Sequence, residues 1–144
     1  TEPVNAPSTS QTRGLVLVVD DEPHAANVTS RMLHDGGYST VEVSNARDAL
    51  SALELANPLF DLVVTDVVMP ETDGRTLGRL IAERHPGLPV IYISAYPEQD
   101  IFHRGSPGPQ SAFLQKPFSP DVLLSLVREQ LATATQVGNR RQRA

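Results

Sequence analysis

Apolar residues along this chain fall into short blocks that alternate between two periods. Leu15-Val-Leu-Val-Val19 is an unbroken run rich in β-branched residues, the pattern of a strand buried on both faces. Ala25, Val28, Thr29 and Met32 then recur at i, i+3, i+4 and i+7, which predicts a helix with that face inward. Pro23 suits its first turn, where no N–H is needed, and Gly36-Gly37 ends it. A second strand is expected from Tyr38 to Val43, after which Asn45 caps a helix facing inward through Ala46, Ala49, Leu50 and Leu53. Phe60 to Thr65 reads as a third strand. The helix after it begins near Asp73, turns Leu77, Leu80 and Ile81 inward, and stops before Pro86. Leu88 to Ile93 and Ala112 to Gln115 are the fourth and fifth strands. Between them, Pro97 to Gly105 leaves room for only about two helical turns. Ile101 and Phe102 are its inward residues, and Ser106-Pro-Gly-Pro109 then forces a loop. Ser119-Pro120-Asp121 starts a last helix that buries Leu123, Leu126, Val127 and Leu131.

Strands that alternate with helices build βαβ units, and right-handed crossovers leave few ways to arrange them. The expected fold is α/β: a doubly wound five-stranded parallel sheet in the flavodoxin-like order 2-1-3-4-5, with helices on both faces and a short fourth helix. Residues 1–13, rich in Pro, Ser and Thr, read as a disordered linker; 14–132 form the domain, and 133–144 read as a flexible tail. With 144 residues the chain fits one domain. It contains no cysteine, which removes disulfides and thiolate metal sites and suits a cytoplasmic setting. No apolar run approaches the roughly 18 residues that would span a membrane, so no membrane contact is expected. A net charge of -5 argues against nucleic acid as a partner; Arg140, Arg141 and Arg143 form only a weak basic end.

In open α/β sheets, ligands bind beyond the carboxyl ends of the strands, so the residues that follow each strand carry the chemistry. Strand 1 is followed by Asp20 and Asp21, and strand 3 by Asp66; strand 4 ends in Ser94 and strand 5 in Lys116-Pro117. Taken singly, each has an ordinary explanation as a turn, a cap or a solvated surface residue. Their convergence on one edge does not. Clustered carboxylates repel by about 4 kcal/mol per close pair at an effective dielectric of roughly 20. They therefore hold a cation or retain protons, and hard oxygen donors with space for water and phosphate favour Mg2+. Lys116 and Ser94 would add a point charge and a hydroxyl donor, a set suited to forming an acyl phosphate on Asp66.

These residues closely resemble the response-regulator receiver family of two-component systems. The resemblance runs through Val18-Val-Asp-Asp-Glu-Pro23, Asp66-Val-Val-Met-Pro-Glu-Thr-Asp-Gly74, Ile93-Ser-Ala95 and Phe113-Leu-Gln-Lys-Pro-Phe118, and covers roughly residues 14–131. It implies that Asp66 is the phosphoacceptor and Lys116 the lysine on the phosphoryl group. It also implies that Asp21, Asp66 and the backbone carbonyl of Val68 ligate magnesium, with Asp20 acting largely through water. Ser94 would be the hydroxyl that moves towards the phosphate and Phe113 the aromatic switch whose rotamer follows it. Val68 and Tyr96, two residues beyond Asp66 and Ser94, stand where water access and acyl-phosphate hydrolysis are tuned.

The implied partner is a histidine kinase or a histidine phosphotransfer domain, docking at the first helix and the loops around Asp66. The Phe-Leu-Gln-Lys-Pro-Phe run and the short fourth helix are most similar to receivers of hybrid sensor histidine kinases. The chain is accordingly expected to be a piece of such a kinase, with a stand-alone single-domain regulator as the alternative. No room is left after Leu131 of this chain for a helix-turn-helix unit. A pseudo-receiver that binds partners without phosphate has no use for the complete set of Asp20, Asp21, Asp66, Ser94 and Lys116. An aspartyl phosphatase would want a second acid where Val68 stands, and a flavin site would not have an acidic loop after strand 1. The domain is not expected to be an enzyme beyond its own phosphorylation and dephosphorylation. Because the fourth helix is short and poor in apolar residues, the usual receiver dimer through helix 4, strand 5 and helix 5 is not expected. The phosphorylated protein should sediment as a monomer; a tight dimer would contradict this.

Overall fold

The computed structural model describes residues 13–55, 59–101 and 111–143. Among them the strands are β1 (Leu15–Val19), β2 (Ser39–Val43), β3 (Leu62–Asp66), β4 (Val90–Ser94) and β5 (Ser111–Gln115). The helices are α1 (Pro23–Asp35), α2 (Ala46–Glu54), α3 (Gly74–Arg84), α4 (Glu98–Ile101) and α5 (Pro120–Arg143). The sheet order is β2-β1-β3-β4-β5, and every pairing is parallel. This is the doubly wound flavodoxin-like arrangement expected from the pattern.

Alternate residues of the central strands feed two separate cores, as the two-residue period of a strand requires. Val16, Val18, Leu62, Val64, Ile91 and Ile93 pack against α1 and α5 through Leu33, Leu123 and Val127. Leu17, Val19, Val63, Val90 and Tyr92 pack on the other face against α2 and α3 through Ala49, Leu53, Leu77 and Ile81. Ile101 of α4 joins this second core. Phe102 and Ser106 to Pro109 lie outside the described residues, as do residues 1–12 of the expected linker.

The helix starts follow their caps. Asn45 accepts from the Asp48 N–H at 2.7 Å and Asp73 from the Thr76 N–H at 3.0 Å. Ser119 accepts from the Val122 N–H at 3.3 Å. At α1 the capping oxygen comes from Glu22, bonded to the Ala25 N–H at 3.0 Å. Gly37 closes α1 with φ 98, a conformation that side chains disfavour.

α1 departs from the expected face. Its buried stripe is Ala26, Thr29, Ser30 and Leu33, whereas Ala25 and Met32 are half-buried and Val28 is exposed. The true stripe has the same spacing, displaced by one residue and anchored by the completely buried Leu33. Thr29 is buried as expected, but Ser30 is also small enough to lie inside the packing, and a pattern that favours apolar residues gives it too little weight. In α3, Leu77 and Ile81 point inward as expected, but Leu80 is half-buried and Gly78 is buried. The backbone of α5 stays helical to Arg143, past Leu131 where the apolar period ends.

Gly78 is where α3 approaches the sheet most closely. A Cβ there would collide with the hydroxyl and ring of Tyr92. Alanine favours a helix over glycine by roughly 1 kcal/mol. Overpacking a core costs about 1–3 kcal/mol and here is the larger effect. Gly78→Ala should therefore lower the urea midpoint, and adding Tyr92→Phe should recover part of the loss, a favourable coupling measurable in a double-mutant cycle.

Candidate functional site

The carboxyl ends of β1, β3, β4 and β5 lie along one edge of the sheet, and the chain leaves β1, β3 and β5 still tied to a neighbouring strand. The Asp20 N–H donates to Val43 O at 3.1 Å, Val67 N–H to Ile93 O at 2.9 Å, and Lys116 N–H to Ser94 O at 2.8 Å. Continuing the ladder one residue past the strands holds the backbone under Asp20, Asp66 and Lys116 in register. The Lys116-Pro117 peptide is cis.

Oxygen atoms of Asp20, Asp21 and Asp66 lie within 4.8 Å of one another. Lys116 Nζ stands 3.9 Å from Asp66 Oδ1. Asp20 is buried and its Oδ1 accepts from the Glu22 N–H at 2.9 Å, while Asp21 is exposed at the rim. Ser94 is fully buried, and its Oγ accepts from the Tyr96 N–H at 2.9 Å, which leaves the hydroxyl proton for donation elsewhere. Phe113 is half-buried on β5, opposite Tyr92 in register and packed against the α2–α3 core. Val68 and Tyr96 are both exposed, at 57% and 56%, in the loops that leave β3 and β4.

The acid cluster, Lys116 and Asp66 are thus brought together as the strand ends implied. Two supporting residues carry no signal that sequence reading used. Thr65 is completely buried, and its Oγ1 donates to the Asp66 carbonyl at 2.9 Å. Gly74, read only as part of a helix start, packs directly on the Asp66–Val67 backbone, where any Cβ would clash with the Asp66 carbonyl. Its N–H donates to Val67 O at 2.8 Å, so α3 begins against the phosphoacceptor candidate's own peptide. Glu71 in the same loop has φ 69, a left-handed conformation that costs a non-glycine residue about 1–2 kcal/mol.

Burial pushes the Asp66 carboxyl above its ordinary value of 3.8, helped by the negative charges of Asp20 and Asp21 and opposed by Lys116. Burial also raises Asp20, against the Glu22 N–H and Lys116, with Asp21 and Glu22 adding to the rise. Asp73 goes the other way: burial would raise it, but the Thr76 N–H and the Arg75 guanidinium outweigh this and hold it low. Raised carboxyls favour the folded state fully below 3.8, and that contribution is lost as pH rises through their higher folded values. Three carboxylate oxygen donors this close fit a hard divalent cation such as magnesium.

A family model described as the response regulator receiver domain matches residues 16–128. The chain belongs to that family, whose members are signalling modules rather than classical enzymes. It is 40% identical over 117 residues to the sensor kinase CckA of Brucella abortus, covering 81% of this chain and 12% of that protein. It is 33% identical over 120 residues to the DNA-binding transcriptional regulator NtrC of Salmonella typhimurium, covering 83% of this chain and 25% of the regulator. The chain therefore spans a quarter or less of these relatives' length. Among solved structures, the signal receiver domain of a histidine kinase from Syntrophus aciditrophicus superposes with a TM-score of 0.73 and 32% identity, over 83% of this chain and 91% of that one. No helix among the described residues is long and apolar enough to cross a membrane.

In the presence of a chelator at neutral pH, Asp66→Asn should have a higher urea midpoint than the wild type, because it removes one of the crowded charges. The difference should close below pH 3.8, where the wild-type carboxyls are protonated. Added magnesium should stabilise the wild type and leave Asp66→Asn nearly unchanged.

Proposed function

We propose that this domain accepts a phosphoryl group on Asp66 from a phosphohistidine of a histidine kinase or histidine phosphotransfer domain. The observation that carries the reading is the meeting of three carboxylates within 4.8 Å, one of them 3.9 Å from Lys116 Nζ. An Asp66 carboxylate oxygen attacks phosphorus; a P–O bond forms, the P–N bond to the donor imidazole breaks, and the leaving nitrogen takes up a proton. Asp21, Asp66 and the Val68 carbonyl would hold magnesium, with Asp20 acting largely through water. When bound, the ion neutralises charge on the equatorial phosphoryl oxygens and on the clustered acids. Lys116 reaches the same oxygens as a second positive charge. The Ser94 hydroxyl donates a hydrogen bond to one of these oxygens and moves towards it.

Phe113 then follows Ser94. It lines a groove between β5 and α5 together with Val122, Leu126, Asp121 and Glu129, so a rotamer change there alters a surface that partners meet. The similarity to histidine-kinase receivers supports membership of a hybrid kinase over a stand-alone regulator, and a cytoplasmic setting follows from that role. The scarcity of apolar residues between Pro97 and Gly105 supports a monomer.

Incubation with a small acyl-phosphate donor should add one phosphoryl mass to the wild type only when magnesium is present, and none to Asp66→Asn. No adduct under any condition would leave a pseudo-receiver; labelling of Asp66→Asn would mean another acceptor. Val68 and Tyr96, exposed in the loops that follow Asp66 and Ser94, would limit the approach of water to the acyl phosphate. Tyr96→Ala should shorten the phosphate half-life severalfold, roughly the range of a 1 kcal/mol change. An unchanged half-life would remove Tyr96 from that role.

A further inference from the structure

Arg75, in the first turn of α3, makes two contacts whose partners lie far apart in sequence. Its Nη2 pairs with Asp73 Oδ2 at 3.0 Å, and its Nη1 donates to the Ile101 carbonyl at 3.0 Å. The first is a partly exposed ion pair, which on its own does little. The second is different in kind. It is part-buried and ties the α3 side chain directly to the α4 backbone across 26 residues of sequence.

What lies at each end of this link is informative. Asp73 caps α3 through its Oδ1, and the next residue, Gly74, is packed on the Asp66–Val67 backbone. Ile101 is buried in the same core as Met69 and Leu77, which come from the loop after Asp66 and from α3. One guanidinium therefore joins the Asp66 loop to a helix that begins just beyond Ser94 and Tyr96. A planar fork can hold both partners at once, which the single nitrogen of lysine cannot.

We propose that Arg75 is a positioning residue that carries a change in the Asp66 loop to α4. The inference rests on the phosphoacceptor reading of Asp66. When charge is placed on Asp66, the loop that carries Met69 and Asp73 shifts, and the Arg75 fork moves α4 at Ile101 with it. Neither Asp66 nor the residues around it need Arg75 to take up the phosphoryl group.

The test uses magnesium and beryllofluoride as a phosphoryl mimic on the whole chain. Fluorine NMR reports occupancy of Asp66, and amide hydrogen exchange reports residues 98–101. In the wild type the mimic should bind and change exchange at 98–101 by roughly threefold or more. Arg75→Gln and Arg75→Lys should still bind the mimic, with exchange at 98–101 already raised roughly fivefold without it and no longer responsive to it. The Thr76 amide, held by Asp73, serves as the control that α3 remains capped. A purely structural role would raise basal exchange yet leave the response to the mimic intact, and that result would overturn the proposal. So would a wild type that binds the mimic with no change at 98–101. If the wild type showed no bound fluoride, the phosphoacceptor reading itself would fall, and this inference with it.

Discussion

Mutual repulsion among Asp20, Asp21 and Asp66 is the constraint around which this fold is organised. The sheet places their oxygens within 4.8 Å, and burial makes ionisation of Asp20 and Asp66 harder still. Such a site is poised: it gains from any cation, and from any group that disperses its charge. The rest of the fold keeps it in place. Ladder bonds continue one residue past the strand ends, Thr65 Oγ1 holds the Asp66 carbonyl, and Gly74 lets α3 close on the peptide below.

That rigidity beneath Asp66 contrasts with what surrounds it. The Ser94 side chain is enclosed and its Oγ accepts from the Tyr96 N–H of its own loop, and Phe113 is half-buried at the edge of the core. β5 is an edge strand, so Phe113 has packing on one side and a groove towards α5 on the other. In the proposed function the nucleophile would stand on a central strand and the movable groups on the strands outside it, a sensible division. The chemistry needs fixed geometry, whereas the signal needs parts that can shift without unfolding the core.

Much of this was legible in the sequence, and for an identifiable reason. Strand ends in a parallel sheet share one edge, so Asp20, Asp66, Ser94 and Lys116 could be gathered from hydrophobic runs alone. The strand order and the short fourth helix followed from the same pattern. The rotation of α1 was not legible, because Ser30 is buried by virtue of size rather than polarity, and Val28 looked the better core residue. Contacts between distant segments were likewise hidden. Nothing in the local pattern around Gly78 indicates the Tyr92 hydroxyl it accommodates, and nothing around Arg75 indicates the Ile101 carbonyl. Gly74 carried a signal, but one that read as a helix start instead of a close approach to Asp66.

The most direct test of the central claim is calorimetric titration of magnesium into the unphosphorylated protein at neutral pH. The acid cluster predicts one ion per chain in the wild type, with binding strongly weakened in both Asp21→Asn and Asp66→Asn. Equal binding in all three proteins, or none in the wild type, would contradict the account.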